Sequence, residues 1–466
     1  MGYATSLVGS VLSLVMYAHM LGPTDYGRLA VDLALVEALQ AVLFQWHRLA
    51  IVRFWAESER AGIASYLTTY HLTWLALACA VVLVSGVFQI ASGKVSTIEW
   101  PTVIVMGIAK SAALYAQEIA RASGASLRYA AGALLLTVGS SVAGVIAYRS
   151  TQSITSVLIV SAAVFALSGI VCVWREAATV RGGKFSREHF RTMLRYGLPL
   201  VPVFVSVTAL TRLDRPILAL FAPASVVGAY AAATALITNM VSAACLLVVT
   251  PVYPWLLREK ETRPEHEYRR LHAQTGLLML SGVFAIGTVM YCARVALLPV
   301  LLGVAIGNAA EPYVLPLLLI AIVGAFRAHF FDQAYHLFSR TRMLMAINIA
   351  TLVVAVVALY TGARLGGVEG LLCGLFVANA LSLLASAIFA RSFVNLRHLS
   401  GGVGALAAVS VVSGLAGELL TRFGTHIAAD PKFAAIVSAT GAVLVFVTGM
   451  YLANVGAIRS SGWRRT

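Results

Sequence analysis

ITSVLIVSAAVFALSGIVCVW, from Ile154 to Trp174, runs for about 20 residues without a charge and stops against Arg175-Glu176. As a helix it is about 30 Å long, which matches the hydrocarbon thickness of a bilayer. Similar runs lie on both sides of it. The same reading places membrane spans at 3–21, 29–48, 66–90, 101–121 and 129–148 before it, and at 196–221, 226–256, 273–301, 312–338, 343–362, 368–390, 403–421 and 434–454 after it. The chain is therefore expected to be an all-α polytopic membrane protein with about 14 transmembrane helices. Barrel strands would alternate polar with apolar residues, and these runs do not.

Composition agrees. Hydrophobic residues fill 60% of the 466 positions and charged residues 11%, against roughly a quarter charged in soluble domains, so lipid must solvate most of the surface. The net charge of +15 is scattered over short loops without interleaved aromatics, which argues against nucleic acid. Cys79, Cys172, Cys245, Cys292 and Cys373 all fall in apolar runs without metal-ligand spacing and read as packing residues. Tyr3–Leu21 lacks the basic start and small-residue cleavage site of a signal peptide and reads as a retained helix.

Orientation follows from the basic residues. Of the 34 Lys and Arg, 23 fall in the loops after even-numbered spans or in the C-terminal tail, six on the opposite side and five within spans. Positive charge marks the cytoplasmic side of short loops, so both termini are expected in the cytoplasm and the chain in the cytoplasmic membrane. Trp46, Trp55, Trp100, Trp174 and Trp255 near span ends read as interfacial anchors, whereas Trp74 lies deeper and packs. Phe185, Phe190, Met193 and Leu194 make the basic stretch 175–195 partly amphipathic, as in a surface helix.

Two outer turns look alike: Leu21-Gly22-Pro23-Thr24-Asp25-Tyr26-Gly27 after the first span and Phe221-Ala222-Pro223 to Gly228-Ala229-Tyr230 after the seventh. These segments, with Leu49-Ala-Ile-Val-Arg-Phe54, Tyr196-Gly-Leu-Pro-Leu-Val-Pro202 and Leu213-Asp214-Arg215, resemble the polysaccharide flippases, or Wzx-type O-antigen translocases, of the multidrug/oligosaccharidyl-lipid/polysaccharide (MOP) exporter superfamily. The resemblance runs in order through the first half to two-thirds of the chain. It implies two six-helix bundles around a central cavity plus two C-terminal helices: 1–174, a basic cytoplasmic linker at 175–195, 196–391, and 392–466 with a basic tail. The implied activity is alternating-access transfer of an undecaprenyl-diphosphate-linked glycan to the outer leaflet for polysaccharide biosynthesis. The implied partners are that glycan, the bilayer and polysaccharide polymerase or assembly proteins.

Ionisable groups inside spans are costly and face a bundle interior or water, so they are the site candidates. Lys110, Arg212, Arg215, Arg294 and Arg327, with Arg48 at the inner end of the second span, form the basic set and read as cavity cations for a diphosphate headgroup, whose oxygens the Arg fork matches. At 100° per residue Arg212 and Arg215 share a face with Thr208, Lys110 aligns with Gln117, Glu118 and Arg121, and Glu37, Gln40, Phe44 and Arg48 form a stripe. The acidic set adds Asp32, Asp214, Asp332 and Glu418. Asp32, Asp214 and Asp332 are coupling candidates, and Pro216 after Asp214-Arg215 is a gating candidate through a kink. The bland alternative at each site is an ion pair that staples helices together.

His329, Asp332 and His336 share a face but are spread over two turns, a weak metal signal, and no cofactor or metal is expected. No Walker-type loop or soluble domain is present for nucleotide hydrolysis, so the chain reads as a transporter rather than an enzyme. A lipid II flippase fits nearly as well. A drug/cation antiporter fits less well, since organic cations want acidic walls, and a membrane glycosyltransferase or polymerase would need larger outer loops than these. A purely structural partner would leave the buried charges without a reason.

Overall fold

The computed structural model describes residues 2–92, 100–176, 182–427 and 431–453, and no strand occurs among them. Lys94, Arg181, Arg459, Arg464 and Arg465, which contribute to the orientation bias, lie outside the described residues, as do 177–181 of the basic linker and the tail after 453. The chain divides into two compact units, 1–228 and 229–466.

The first unit contains α1 (Gly2–Met20), α2 (Pro23–Leu39), α3 (Gln45–Ala61), α4 (Ile63–Ser92), α5 (Trp100–Ala122), α6 (Ser126–Leu134), α7 (Ser140–Thr151), α8 (Ile154–Val173), α9 (Arg187–Gly197), α10 (Val201–Arg212) and α11 (Asp214–Ala219). The long α12 (Ala224–Thr262) leads into the second, which continues with α13 (Glu265–Leu302), α14 (Val304–Ala310), α15 (Val314–Phe326), α16 (Asp332–Leu337), α17 (Thr341–Ala390), α18 (Leu396–Ile427) and α19 (Pro431–Leu452). Among the described residues twelve helices are long and apolar enough to cross a membrane. The shorter α1 and the second arm of α17 bring this to the fourteen crossings that the apolar runs predict. The chain is a multi-pass membrane protein.

The break in α17 falls at Gly366-Gly367, where Gly367 takes φ 54°, a left-handed conformation that glycine adopts at little cost. The two arms then pair, and Thr351 Oγ1 shares a 2.9 Å hydrogen bond with Ser382 Oγ. Without a hydrophobic force between helices in lipid, such polar contacts and close backbone packing hold spans together.

Close packing explains the two similar turns. A Cβ on Gly27 would stand 1.9 Å from the Ala224 carbonyl oxygen, and one on Gly228 would stand 2.0 Å from that of Pro23. The starts of α2 and α12 therefore cross backbone to backbone, as small-xxx-small pairs do. Beside them Asp25 accepts a 2.6 Å hydrogen bond from the Tyr148 hydroxyl of α7.

Two expectations change. Trp46 and Trp55 are buried rather than interfacial, in a cluster with Tyr66, Tyr70, Tyr115 and Met193. The reason is α9: it directs Met193, with Phe190 and Leu194, onto that cluster, so its apolar face is used by protein rather than laid on lipid. Trp174, at the end of α8, stays 61% exposed. Three spans also carry a π-helical turn, at Gln40–Phe44, Leu135–Gly139 and Arg327–Phe331. Each widens the helix locally and resets the phase of the next turns, and such bulges concentrate at functional sites.

Candidate functional site

The first unit gathers charge along α2, α5, α10 and α11. Glu37, in the last turn of α2, forms an ion pair with Lys110 of α5. Its carboxylate also lies within electrostatic reach of Arg212 and Arg215. Arg212 is the last residue of α10, and the chain bends at Leu213 before α11 begins at Asp214, with Pro216 in the first turn of α11. The bend sets Arg212 and Arg215 on two short helices that both lie against α2. Arg215 is only 8% exposed, with Tyr26 in its electrostatic reach, while Arg212 is exposed. Neither arginine makes an ion pair among the described residues of this unit.

One layer further along, Arg48 Nε stands 3.7 Å from Glu118 Oε1, and Arg121 Nη2 stands 2.6 Å from Glu118 Oε2. Glu118 is thus shared by two guanidinium groups, and the alignment of Lys110 with Glu118 and Arg121 on α5 produces two adjoining charge clusters. The stripe from Glu37 to Arg48 is interrupted by the π-turn, where Gln40 Nε2 donates to Gln45 Oε1 at 3.1 Å. Arg48 still feels Glu37 electrostatically. Asp32 and Asp214 are both buried in the same unit.

In the second unit the expected cations are engaged by neighbours. Arg294 Nε donates to Glu311 Oε1 at 2.7 Å and Nη1 to the Tyr291 carbonyl at 2.8 Å, with Glu418 Oε2 at 3.4 Å from Nη1. Its guanidinium also stands 4.3 Å from the Tyr291 ring centroid, an attractive cation–π placement. Arg327 is buried, hydrogen bonded to Asn348 Oδ1, with Asp332 Oδ1 3.7 Å from its Nε. The π-turn that contains Arg327 also carries His329, which lines a cavity of about 20 Å³ with His272, Thr275 and Gln333. His336 is exposed. Among the described residues no three His, Cys, Asp or Glu side chains come together as a metal site.

The carboxylates Glu37, Glu118, Asp332 and Glu418 stand out in the sequence beside the cations they pair with, but which pairs with which does not, and Glu311 and Asn348 are not singled out at all. Asn348, Thr351, Ser382 and the buried His272 carry no sequence signal that separates them from other polar residues in apolar runs. Only the costly formal charges stand out.

Residues 1–260 match the family described as polysaccharide biosynthesis protein. No match is found among curated proteins. Among solved structures the fold is similar to that of the lipid II flippase MurJ in an inward closed conformation, with TM-score 0.74 and 12% identity over 98% of this chain and 99% of that one. It is also similar to an inward-facing multidrug resistance MATE family transporter of the MOP superfamily, with TM-score 0.53 and 16% identity over 83% and 94% of the two chains. A third match is a point mutant of the Vibrio cholerae MATE transporter VcmN, with TM-score 0.51 and 16% identity over 84% and 96%. At these identities the likeness establishes a shared fold.

Proposed function

Because the chain belongs to the polysaccharide biosynthesis protein family, we propose that it is a flippase that carries a lipid-diphosphate-linked oligosaccharide across the cytoplasmic membrane by alternating access, with both termini cytoplasmic. In this reading 1–174 and 196–391 are the moving bundles, 175–195 links them, and 392–466 supplies two accessory helices and a basic tail.

The observation that carries the reading is the Arg212–Arg215 pair. Two guanidinium groups in apolar spans, flanked by Lys110 and sharing one carboxylate that Lys110 already holds, are a costly arrangement unless an anion uses it. A diphosphate supplies that anion, with enough acceptors to engage two forks at once. Arg48 extends the cationic path toward the basic side of the first unit. Arg294, with its donors already engaged, and Arg327, buried against Asn348 and Asp332, would shape the second bundle rather than contact the headgroup. Asp332 beside Arg327, and the buried Asp32 and Asp214, are the carboxylates that could couple transport to an ion, with Pro216 at the bend between α10 and α11 as the gate.

A lipid II flippase is the second reading, favoured by the fold shared with MurJ. Reconstituted protein in proteoliposomes separates the two. It should accelerate leaflet exchange of a fluorescent polyprenyl-diphosphate oligosaccharide well above its effect on lipid II. Exchange of lipid II alone would select the second reading, and exchange of neither would end both.

A further inference from the structure

Glu37 differs from the other carboxylate of the seam. Glu118 is held between Arg48 and Arg121 and its side chain is 13% exposed, whereas that of Glu37 is 32% exposed, pairs with Lys110 and reaches the field of Arg212 and Arg215. It sits in the last turn of α2, just before the terminus at Leu39 and the π-turn beyond it. One half-buried carboxylate is thus paired with Lys110 of α5 and lies in the field of two arginines carried by α10 and α11, both packed against α2. Like charges in a poorly polarisable setting repel strongly, and a single anion among them relieves that repulsion.

We propose that Glu37 is a tethered stand-in for the phosphate of an anionic lipid headgroup: it neutralises the Lys110, Arg212 and Arg215 cluster while the site is empty, and the headgroup must displace it to engage the two arginines. The inference rests on the headgroup reading of Arg212 and Arg215. An internal competitor weakens binding of the ligand and returns to the cations as the ligand leaves. It therefore raises turnover at the expense of affinity, since tight ground-state binding does not speed a step that ends in release. Glu37 acts on the ligand through the cations and is a positioning residue.

The test is binding of undecaprenyl diphosphate to the protein in nanodiscs, together with the KM and kcat of oligosaccharide flipping. Glu37→Gln should bind the diphosphate about fivefold or more tighter, within the ordinary range of site–site coupling, with KM and kcat both lowered, and Glu37→Asp should restore wild-type values. Because Glu37→Gln leaves Lys110 without its partner, the comparison is repeated in a Lys110→Met background, where adding Glu37→Gln should again tighten binding. Equal or weaker binding in both backgrounds, with unchanged thermal unfolding, overturns the proposal. The Arg212→Gln/Arg215→Gln variant keeps the two readings apart. If it binds like wild type, the headgroup reading itself fails. If it loses binding while Glu37→Gln does not tighten, the Glu37 inference alone fails.

Discussion

In the first unit Arg212 and Arg215 stand near a carboxylate that Lys110 already holds, whereas in the second Arg294 is gripped by Glu311, Glu418 and a backbone carbonyl, and Arg327 by Asn348 and Asp332. All four arginines occupy apolar spans and carry the same charge. What separates them is how many of their donors are already used. Arg294, whose fork is filled, joins helices and has little left for a ligand, and Arg327 is tied by one hydrogen bond and one ion pair while its Nε has no hydrogen-bond partner among the described residues. A guanidinium without an ion pair keeps its donors available, and for the buried Arg215 an arriving anion offsets the desolvation.

The sharpest way to break this contrast is to remove the available pair. Arg212→Ala/Arg215→Ala should lower glycan flipping by about 30-fold or more, the scale of about 2–5 kcal/mol for losing a desolvated charge contact, while the protein still inserts. Normal flipping rates in proteoliposomes would erase the distinction between the two units.

Arg294→Ala should do the reverse. It strands Glu311 and Glu418, both about one-third exposed, and should cost about 1–3 kcal/mol of stability, seen as earlier thermal unfolding, while flipping per folded molecule stays close to wild type. A transport defect without loss of stability would mean that Arg294 contacts substrate after all.

The smallest effect is expected away from both clusters, at the Arg128–Glu176 clasp of the first unit. Arg128 Nη2 donates to Glu176 Oε1 at 2.5 Å, Nη1 donates to the Cys172 carbonyl at 3.0 Å, and Ser123 Oγ donates to Glu176 Oε1 at 3.2 Å. Burial opposes ionisation of Glu176, but these donors outweigh it and hold its pKa below the usual glutamate value. A depressed folded-state pKa gives stability that is complete above the unfolded-state value and fades as pH falls through the folded one. Thermal unfolding of wild type should therefore shift downward in acid. Glu176→Gln should be less stable at neutral pH, by about 1 kcal/mol, and lose less on acidification. Parallel acid profiles for the two proteins would show that the clasp contributes nothing.

Different parts of this molecule were legible in the sequence to different degrees. Each span could be read because about 20 consecutive apolar residues are a local property, and even the hairpin inside α17 is marked by Gly366-Gly367 between two such runs. The candidate cations could be read because a formal charge in an apolar run is expensive wherever the helix packs. The partner of Lys110 could not, since Glu37 lies 73 residues away in the chain and Asp32, Glu118 or Asp214 would have served equally on charge alone. Nor could the burial of Trp46 and Trp55: residues at span ends face either lipid or protein, and α9 decided the matter by covering them.

The sequence by itself determined how many times the chain crosses, where it turns and which charges cross with it, because hydrophobicity acts along single helices. Only the tertiary structure decided which of those charges are neutralised, because pairing in a low-dielectric interior depends on ångström distances between side chains on different helices. The π-turns in three spans shift those distances by a residue, and the helical period of the sequence carries no trace of them.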